Sequence, residues 1–173
     1  MPWSKLQREI YDLISSDINF QIHCVAYPMR SRTSRGSTDI PRYWITLGKE
    51  IIWDYPKDFL AKAGSTEDCS GKVHPYYPFT TDIHDISDLI REYIDTPQKA
   101  LFDKNFEKDK WGLTDILKAA DRRIGVRRLS RLKSKTQNIA AGKVIDERML
   151  SNRNKAAQTS PANPKVLDTT TDI

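Results

Sequence analysis

The chain has 173 residues, 38% of them hydrophobic, with four Trp, seven Tyr and five Phe, which suits one domain with a modest core plus an appendage. Its 28 Lys and Arg against 23 Asp and Glu give a net charge of +5. No 18 apolar residues run together and the opening carries Lys5, Arg8 and Glu9, so neither a membrane span nor a hydrophobic signal segment is expected, and a cytoplasmic location is.

Ser4 is placed to cap a first helix, with Trp3 stapling its start, because Leu6, Ile10, Leu13 and Ile14 recur at helical spacing. After Asp17 the period becomes two: Phe20, Ile22, Cys24 and Ala26 alternate with Gln21, His23, Val25 and Tyr27, predicting a strand. Arg30 to Asp39 has no apolar period and reads as a loop. Arg42–Leu47 and Glu50–Tyr55 are β-rich runs joined by Gly48-Lys49, a two-residue connection that suits a type II′ hairpin turn. In that register Tyr43, Ile45 and Leu47 share one face and Trp44 and Thr46 the other; Trp44 and Trp53 are expected in packing roles against core or helix.

Lys57 to Ala63 suggests a short helix, and Gly64 to Thr81 a long irregular crossing whose Tyr76, Tyr77 and Phe79 pin it to the core. A second helix is predicted over Ile83 to Ile94, with Ile83, Ile86, Leu89, Ile90, Tyr93 and Ile94 as its apolar arc. Asp85, Asp88, Glu92 and Asp95 lie opposite, a solvated face in preference to a metal site, since side chains on a helix exterior diverge. Thr96-Pro97 starts a short helix, with Thr as cap. Thr114 then caps another, with Leu113, Ile116, Leu117, Ala120 and Ile124 on one arc; at Gly125 it either ends, a new helix following, or bends. Val144 to Leu150 makes at most a marginal helix, and Ser151 to Ile173, with Pro161, Pro164 and a Thr-rich end, reads as a disordered tail. The expected division is a domain over 1–135, a marginal helix or linker over 136–150 and the tail over 151–173.

The densest chemistry lies in Lys118, Arg122, Arg123, Arg127, Arg128, Arg131, Lys133 and Lys135, opposed in that span only by Asp121. The span carries +7, which leaves −2 for the rest of the chain. Such a local surface attracts nucleic-acid phosphate, acidic protein or another polyanion. The cations can equally serve inside the fold, offsetting a helix dipole or pairing with Asp121 and the Asp85–Asp95 face. A helix-turn-helix pattern fails at two positions: Asp121 stands where a small residue is needed and Arg131 where an apolar one is.

No catalytic motif emerges. Gly-x-Ser-x-Gly, a Gly-rich phosphate loop and His-Glu-x-x-His are missing, and His23, His74 and His84 are scattered. His74 with Tyr76, Tyr77 and Cys69 is the least poor catalytic grouping. His23 and Cys24, adjacent on a strand, point to opposite faces, which is wrong for an activated thiol. Cys24 and Cys69 are too few for a metal quartet and lack redox-pair spacing, so one buried thiol and one exposed thiol are expected.

Three blocks carry a resemblance: Met1-Pro2-Trp3-Ser4-Lys5-Leu6, Arg42-Tyr43-Trp44-Ile45-Thr46-Leu47, and Asp115-Ile116-Leu117 through Asp121-Arg122-Arg123-Ile124-Gly125 with Arg127-Arg128-Leu129. Together they resemble an uncharacterised family of small bacterial proteins, some encoded in mobile or accessory regions. The resemblance implies a single compact domain and brings no active site with it.

The expectation is therefore an α+β protein: an N-terminal helix, an antiparallel sheet of about three strands including a β-hairpin, and C-terminal helices packed on one face. Functionally it is a non-enzymatic binding protein, without cofactor or metal, that uses the basic run on nucleic acid or another polyanion. The alternative is a protein-interaction or self-associating module whose arginines meet carboxylates.

Overall fold

A computed structural model of the chain describes residues 3–27, 40–55, 66–67, 73–74 and 83–159. The elements are α1 (Trp3–Tyr11), β1 (Phe20–Tyr27), β2 (Ile40–Leu47), β3 (Glu50–Tyr55), β4 (Thr66–Glu67), β5 (Val73–His74), α2 (Ile83–Asp95), α3 (Gln98–Leu101), α4 (Leu113–Ala120), α5 (Val126–Lys135) and α6 (Ile139–Thr159). The expected α+β architecture is found, an antiparallel sheet in the order β1-β2-β3 with helices before and after it. No helix among the described residues is long and apolar enough to cross a membrane.

Gly48 takes φ 59 at the first central position of the β2–β3 connection, a conformation that glycine adopts at little cost. Ile45 pairs with Trp53 but Thr46 with Ile51, so Ile52 is an extra residue in the ladder. The inner face holds Tyr43 and Ile45, both buried, with Trp53 part-buried beside them and donating its Nε1 proton to the Trp111 carbonyl at 3.1 Å. Trp44 and Thr46 turn to the other face, where His23 stacks on the Trp44 indole at 4.8 Å between centroids. Trp53 thus fulfils the packing role expected of it; Trp44 packs on the sheet's second face.

At Ile22 the edge strand β1 is covered by α1. The Tyr11 hydroxyl donates to the Ile22 carbonyl at 3.1 Å and accepts from its N–H at 2.9 Å, and Gln7 donates to the same carbonyl. Backbone groups that would otherwise invite another strand are occupied there. Leu6 and Ile10 of α1 reach a continuous core with Ile22, Ile45, Leu89, Ile90, Tyr93, Leu113, Ile116 and Leu117.

Several boundaries differ from the sequence reading. The first helix begins at Trp3, so Ser4 lies in its first turn. Thr96 does not cap α3: its hydroxyl donates back to the Glu92 carbonyl at 2.6 Å, closing the end of α2. Nor does Thr114 cap α4. The Asp109 carboxylate reaches the N–H groups of Leu113 and Thr114 at 2.9 and 2.7 Å, across a left-handed Gly112 with φ 70. A Cβ on Gly112 would stand 2.5 Å from Asn138 Nδ2, which donates to the Gly112 carbonyl.

Part of the expected irregular crossing is ordered as an antiparallel pair, β4 with β5. The proposed helix at 57–63, the aromatic residues at 76–79 and Cys69 lie outside the described residues, as do the side chains of His74 and His84.

The largest difference is α6, a 21-residue helix where a marginal one was expected. Ala140, Ala141, Val144 and Ile145 are buried in it, and it packs against α4 and α5. It continues past Leu150 to Thr159, and the Ser151 hydroxyl donates to the Asp17 carbonyl at 3.0 Å while Lys155 pairs with the Asp17 carboxylate. Residues 160–173 lie outside the described residues.

Candidate functional site

Helix α4 ends at Ala120, four residues before the expected break. The chain then runs extended at Asp121, which forms a single antiparallel bridge with Ile14, and α5 begins after Gly125. Ser15 N–H donates to Ala120 O and Arg122 N–H to Leu13 O, both at 2.8 Å, so the segment after α1 and the segment before α5 are stitched together.

Asp121 lies beneath this stitch with no exposed surface. Its Oδ2 accepts from the Tyr93 hydroxyl at 2.8 Å and from Arg123 Nη2 at 2.7 Å, its Oδ1 from the Arg123 backbone N–H at 2.7 Å. Arg123 also donates to the Thr96 carbonyl at 3.2 Å. Burial works against the Arg123 charge, but the hydrogen bonds and charge of Asp121 outweigh it and leave its pKa above the ordinary value. The Tyr93 hydroxyl is pushed well up, first by burial and then by the Asp121 charge.

From the opposite side Arg148 of α6, 5% exposed, donates to the carbonyls of Ala119, Asp121 and Ile124 at 2.8, 3.0 and 3.1 Å. Burial lowers its pKa, and the charges of Asp121 and Asp17 oppose that shift. Sequence reasoning missed Arg148. The available signal was its spacing, since it continues the buried series Ala141, Val144 and Ile145 at helical period.

Helix α5 is held to the body by Leu129 and Leu132, its two buried residues. At about 100° per residue these leucines share one side, and Arg127, Ser130, Arg131 and Ser134 occupy the other. The helix therefore lies on the surface with its cationic side outward.

The structure does not gather all eight cations of the run. Lys118 is only 8% exposed, its ammonium 5.4 Å from the centre of the Phe106 ring, because it sits on the buried side of α4. Arg123 is committed to Asp121, and Lys133 pairs with Asp146 of α6. Arg122, Arg127, Arg128, Arg131 and Lys135 are exposed, and no carboxylate among the described residues pairs with them. Arg131 lies over the Phe102 ring at 5.6 Å.

The acidic side of α2 is not their partner: Asp88 approaches Lys108, Glu92 pairs with Lys104, and Asp95 with Arg91, which also holds Glu9 of α1. Among the described residues no three His, Cys, Asp or Glu side chains converge as a metal site. His23 and Cys24 face opposite sides of the sheet, and burial lowers the His23 pKa and raises that of Cys24.

Two concavities meet at the start of α5. One, of about 450 Å³, is lined by Gln98, Lys99, Arg123, Arg127 and Arg128 together with Gly125 and Val126. The other, of about 330 Å³, shares Gly125 and Val126 and includes Arg122, Arg148, Asp17 and Asn152. Chemically this is a positive helix end between two depressions, suited to contact with anions.

The sequence model described as the SF0329 protein family matches residues 2–149, the region that holds every element from α1 through the first half of α6. Neither the curated proteins nor the solved structures contain a match to this chain.

Proposed function

We propose that this chain, which belongs to the SF0329 protein family, is a non-enzymatic binding protein that engages the phosphate backbone of nucleic acid through the exposed side of α5. One observation carries this reading. Arg122, Arg127, Arg128, Arg131 and Lys135 stand exposed in a short stretch, with no pairing carboxylate among the described residues. Neighbouring cations are used differently: Arg123 and Lys133 neutralise carboxylates within the fold. Unpaired arginines clustered at one end and along one helix supply a cooperative field for a polyanion, and their planar guanidinium forks match phosphate oxygens.

The test is salt-dependent binding of a fluorescent duplex or single strand to the full chain. Log affinity should fall against log salt with a slope of about −0.9 for each phosphate neutralised on B-form DNA. The triple variant Arg127→Gln, Arg128→Gln, Arg131→Gln should flatten the line and weaken binding to all sequences alike, because phosphate contacts position without reading bases. No salt-dependent binding at about 50 mM salt would remove the nucleic-acid reading. The arginines would then be assigned to a protein partner or a second copy, for which sedimentation of wild type against the triple variant is the measurement.

A further inference from the structure

We infer that α5 seats in the major groove of duplex DNA, its N-terminal end foremost, with the two sugar-phosphate backbones received by the depressions on either side. This rests on the nucleic-acid reading above and adds to it the form of the nucleic acid and the way it is held.

The shape comes first. Gly125 and Val126 line both concavities, so the start of α5 is the ridge between them. Lys99, Arg127 and Arg128 stand on one flank and Arg122 on the other. Asp17 also lines the second flank, but its carboxylate is engaged by Lys155, whose hydrogen bond holds its pKa below the ordinary value. A cationic ridge with a cation on each shoulder is complementary to a groove bordered by two rows of phosphates. Dimensions agree: an α-helix with its side chains is about 10 to 12 Å across, and the B-form major groove is about 12 Å wide and admits a helix.

The outward side of the ridge has suitable chemistry. Arg131, and Arg127 where the ridge meets the first depression, carry donor forks of the kind that meets the O6 and N7 acceptors of guanine, and Ser130 and Ser134 offer small hydroxyls beside them. The Ser130 and Ser134 hydroxyls each donate to a carbonyl of their own helix, Val126 O at 3.1 Å and Arg131 O at 2.9 Å, which leaves oxygen lone pairs facing out.

Two other nucleic-acid forms fit less well. Single strands are held by stacking on exposed aromatic rings, whereas the aromatic ring in contact with this side of α5 is Phe102, half-buried under the Arg131 guanidinium. Duplex RNA presents a major groove too deep and narrow for side chains to read. The placement does not depend on a helix-turn-helix: Asp121 is consumed in the buried network, Arg131 is outward, and α5 is held by its two leucines, the Lys133–Asp146 pair and the Arg148 bonds at the α4–α5 junction.

The experiment uses the full chain and a fluorescent DNA duplex, challenged with methyl green as a major-groove ligand and netropsin as a minor-groove ligand. The same protein is then titrated with duplex RNA of matching sequence and with heparin. Methyl green should displace the protein and netropsin should not, and the RNA duplex should bind on the order of tenfold more weakly. Lys99→Gln and Arg122→Gln, exposed positions that keep the wild-type circular dichroism, should each reduce the salt slope by about 0.9. Displacement by netropsin alone, equal affinity for DNA duplex, RNA duplex and heparin, or an unchanged slope in both variants would overturn the groove placement while the polyanion reading stands. Absence of binding to every polyanion would overturn both.

Discussion

Asp121 and Arg148 are the residues on which the position of α5 turns, the first fully buried and the second committed to backbone carbonyls. Asp121 is the one carboxylate within the cationic run, and the fold buries it completely against Tyr93 and Arg123. A buried pair contributes modestly as a pair, but removing one member strands the other without its partner. Asp121→Ala should therefore cost about 3 to 5 kcal/mol in urea unfolding. An apolar double replacement, Asp121→Leu with Arg123→Met, should recover a good part of that, and a double variant no better than the single would show that Tyr93 or the backbone N–H bonds dominate. The sheet's outer face holds a residue whose titration bears on stability. Burial lowers the His23 pKa, so its contribution to stability is present in full above the ordinary 6.5 and is lost as pH falls through 6.5 to the lower folded value. Thermal melts from pH 7.5 to about pH 5 should fall less steeply for His23→Gln than for wild type; parallel curves would assign the slope to other groups.

At the scale of elements, α6 is the clamp. Its first half packs on α4 and α5, Arg148 draws three carbonyls around the α4–α5 junction, and its last turns reach Asp17 through Ser151 and Lys155. A chain ended at Leu150 loses the Ser151 hydrogen bond and the Lys155 pair, each worth about 1 kcal/mol or less, and frays the turn that carries Arg148. It should melt about 2 to 6 °C below a chain ended at Thr159 by differential scanning calorimetry. Equal melting temperatures would mean that α6 beyond Leu150 contributes nothing to the fold. The hairpin illustrates a different dependence. Its strands follow local alternation, yet the extra residue Ile52 puts Trp53 opposite Ile45, on the face where Trp111 accepts its proton.

Over the whole molecule, charge is divided by location. The run from Lys118 to Lys135 carries +7 and the remainder −2, and the three cations absorbed by Phe106, Asp121 and Asp146 leave the excess on Arg122 and the exposed cations of α5. Clustered like charges disfavour the compact state through mutual repulsion. The triple Gln variant at 127, 128 and 131 should therefore keep its melting temperature within about 2 °C of wild type or raise it slightly, while losing polyanion affinity. A fall of several degrees would mean that these arginines support the fold, as an Arg131 contact with Phe102 could, and would redirect the site assignment.

Periodicity alone determined the strands and helices of the α+β class, the hairpin with its Gly48 turn, the inward Tyr43 and Ile45, and the span of α2, because each depends on residues a few positions apart. Composition located the cationic run for the same reason: charge is countable. Tertiary structure decided which of those cations are available. Lys118 and Arg123 cannot be told from Arg127 and Arg128 by spacing, and only the packing of α4 on the core and the stitch between Ile14 and Asp121 separate the buried from the exposed. The caps of α3 and α4 were misread because tertiary partners intervene: the Thr96 hydroxyl donates back to the Glu92 carbonyl of α2, and the Asp109 carboxylate reaches the first N–H groups of α4 across Gly112. Helix α6 shows the same dependence at larger scale: a weakly apolar stretch is marginal by itself, since helices in proteins draw most of their stability from tertiary packing, and the surfaces of α4 and α5 that complete it lie outside its own sequence.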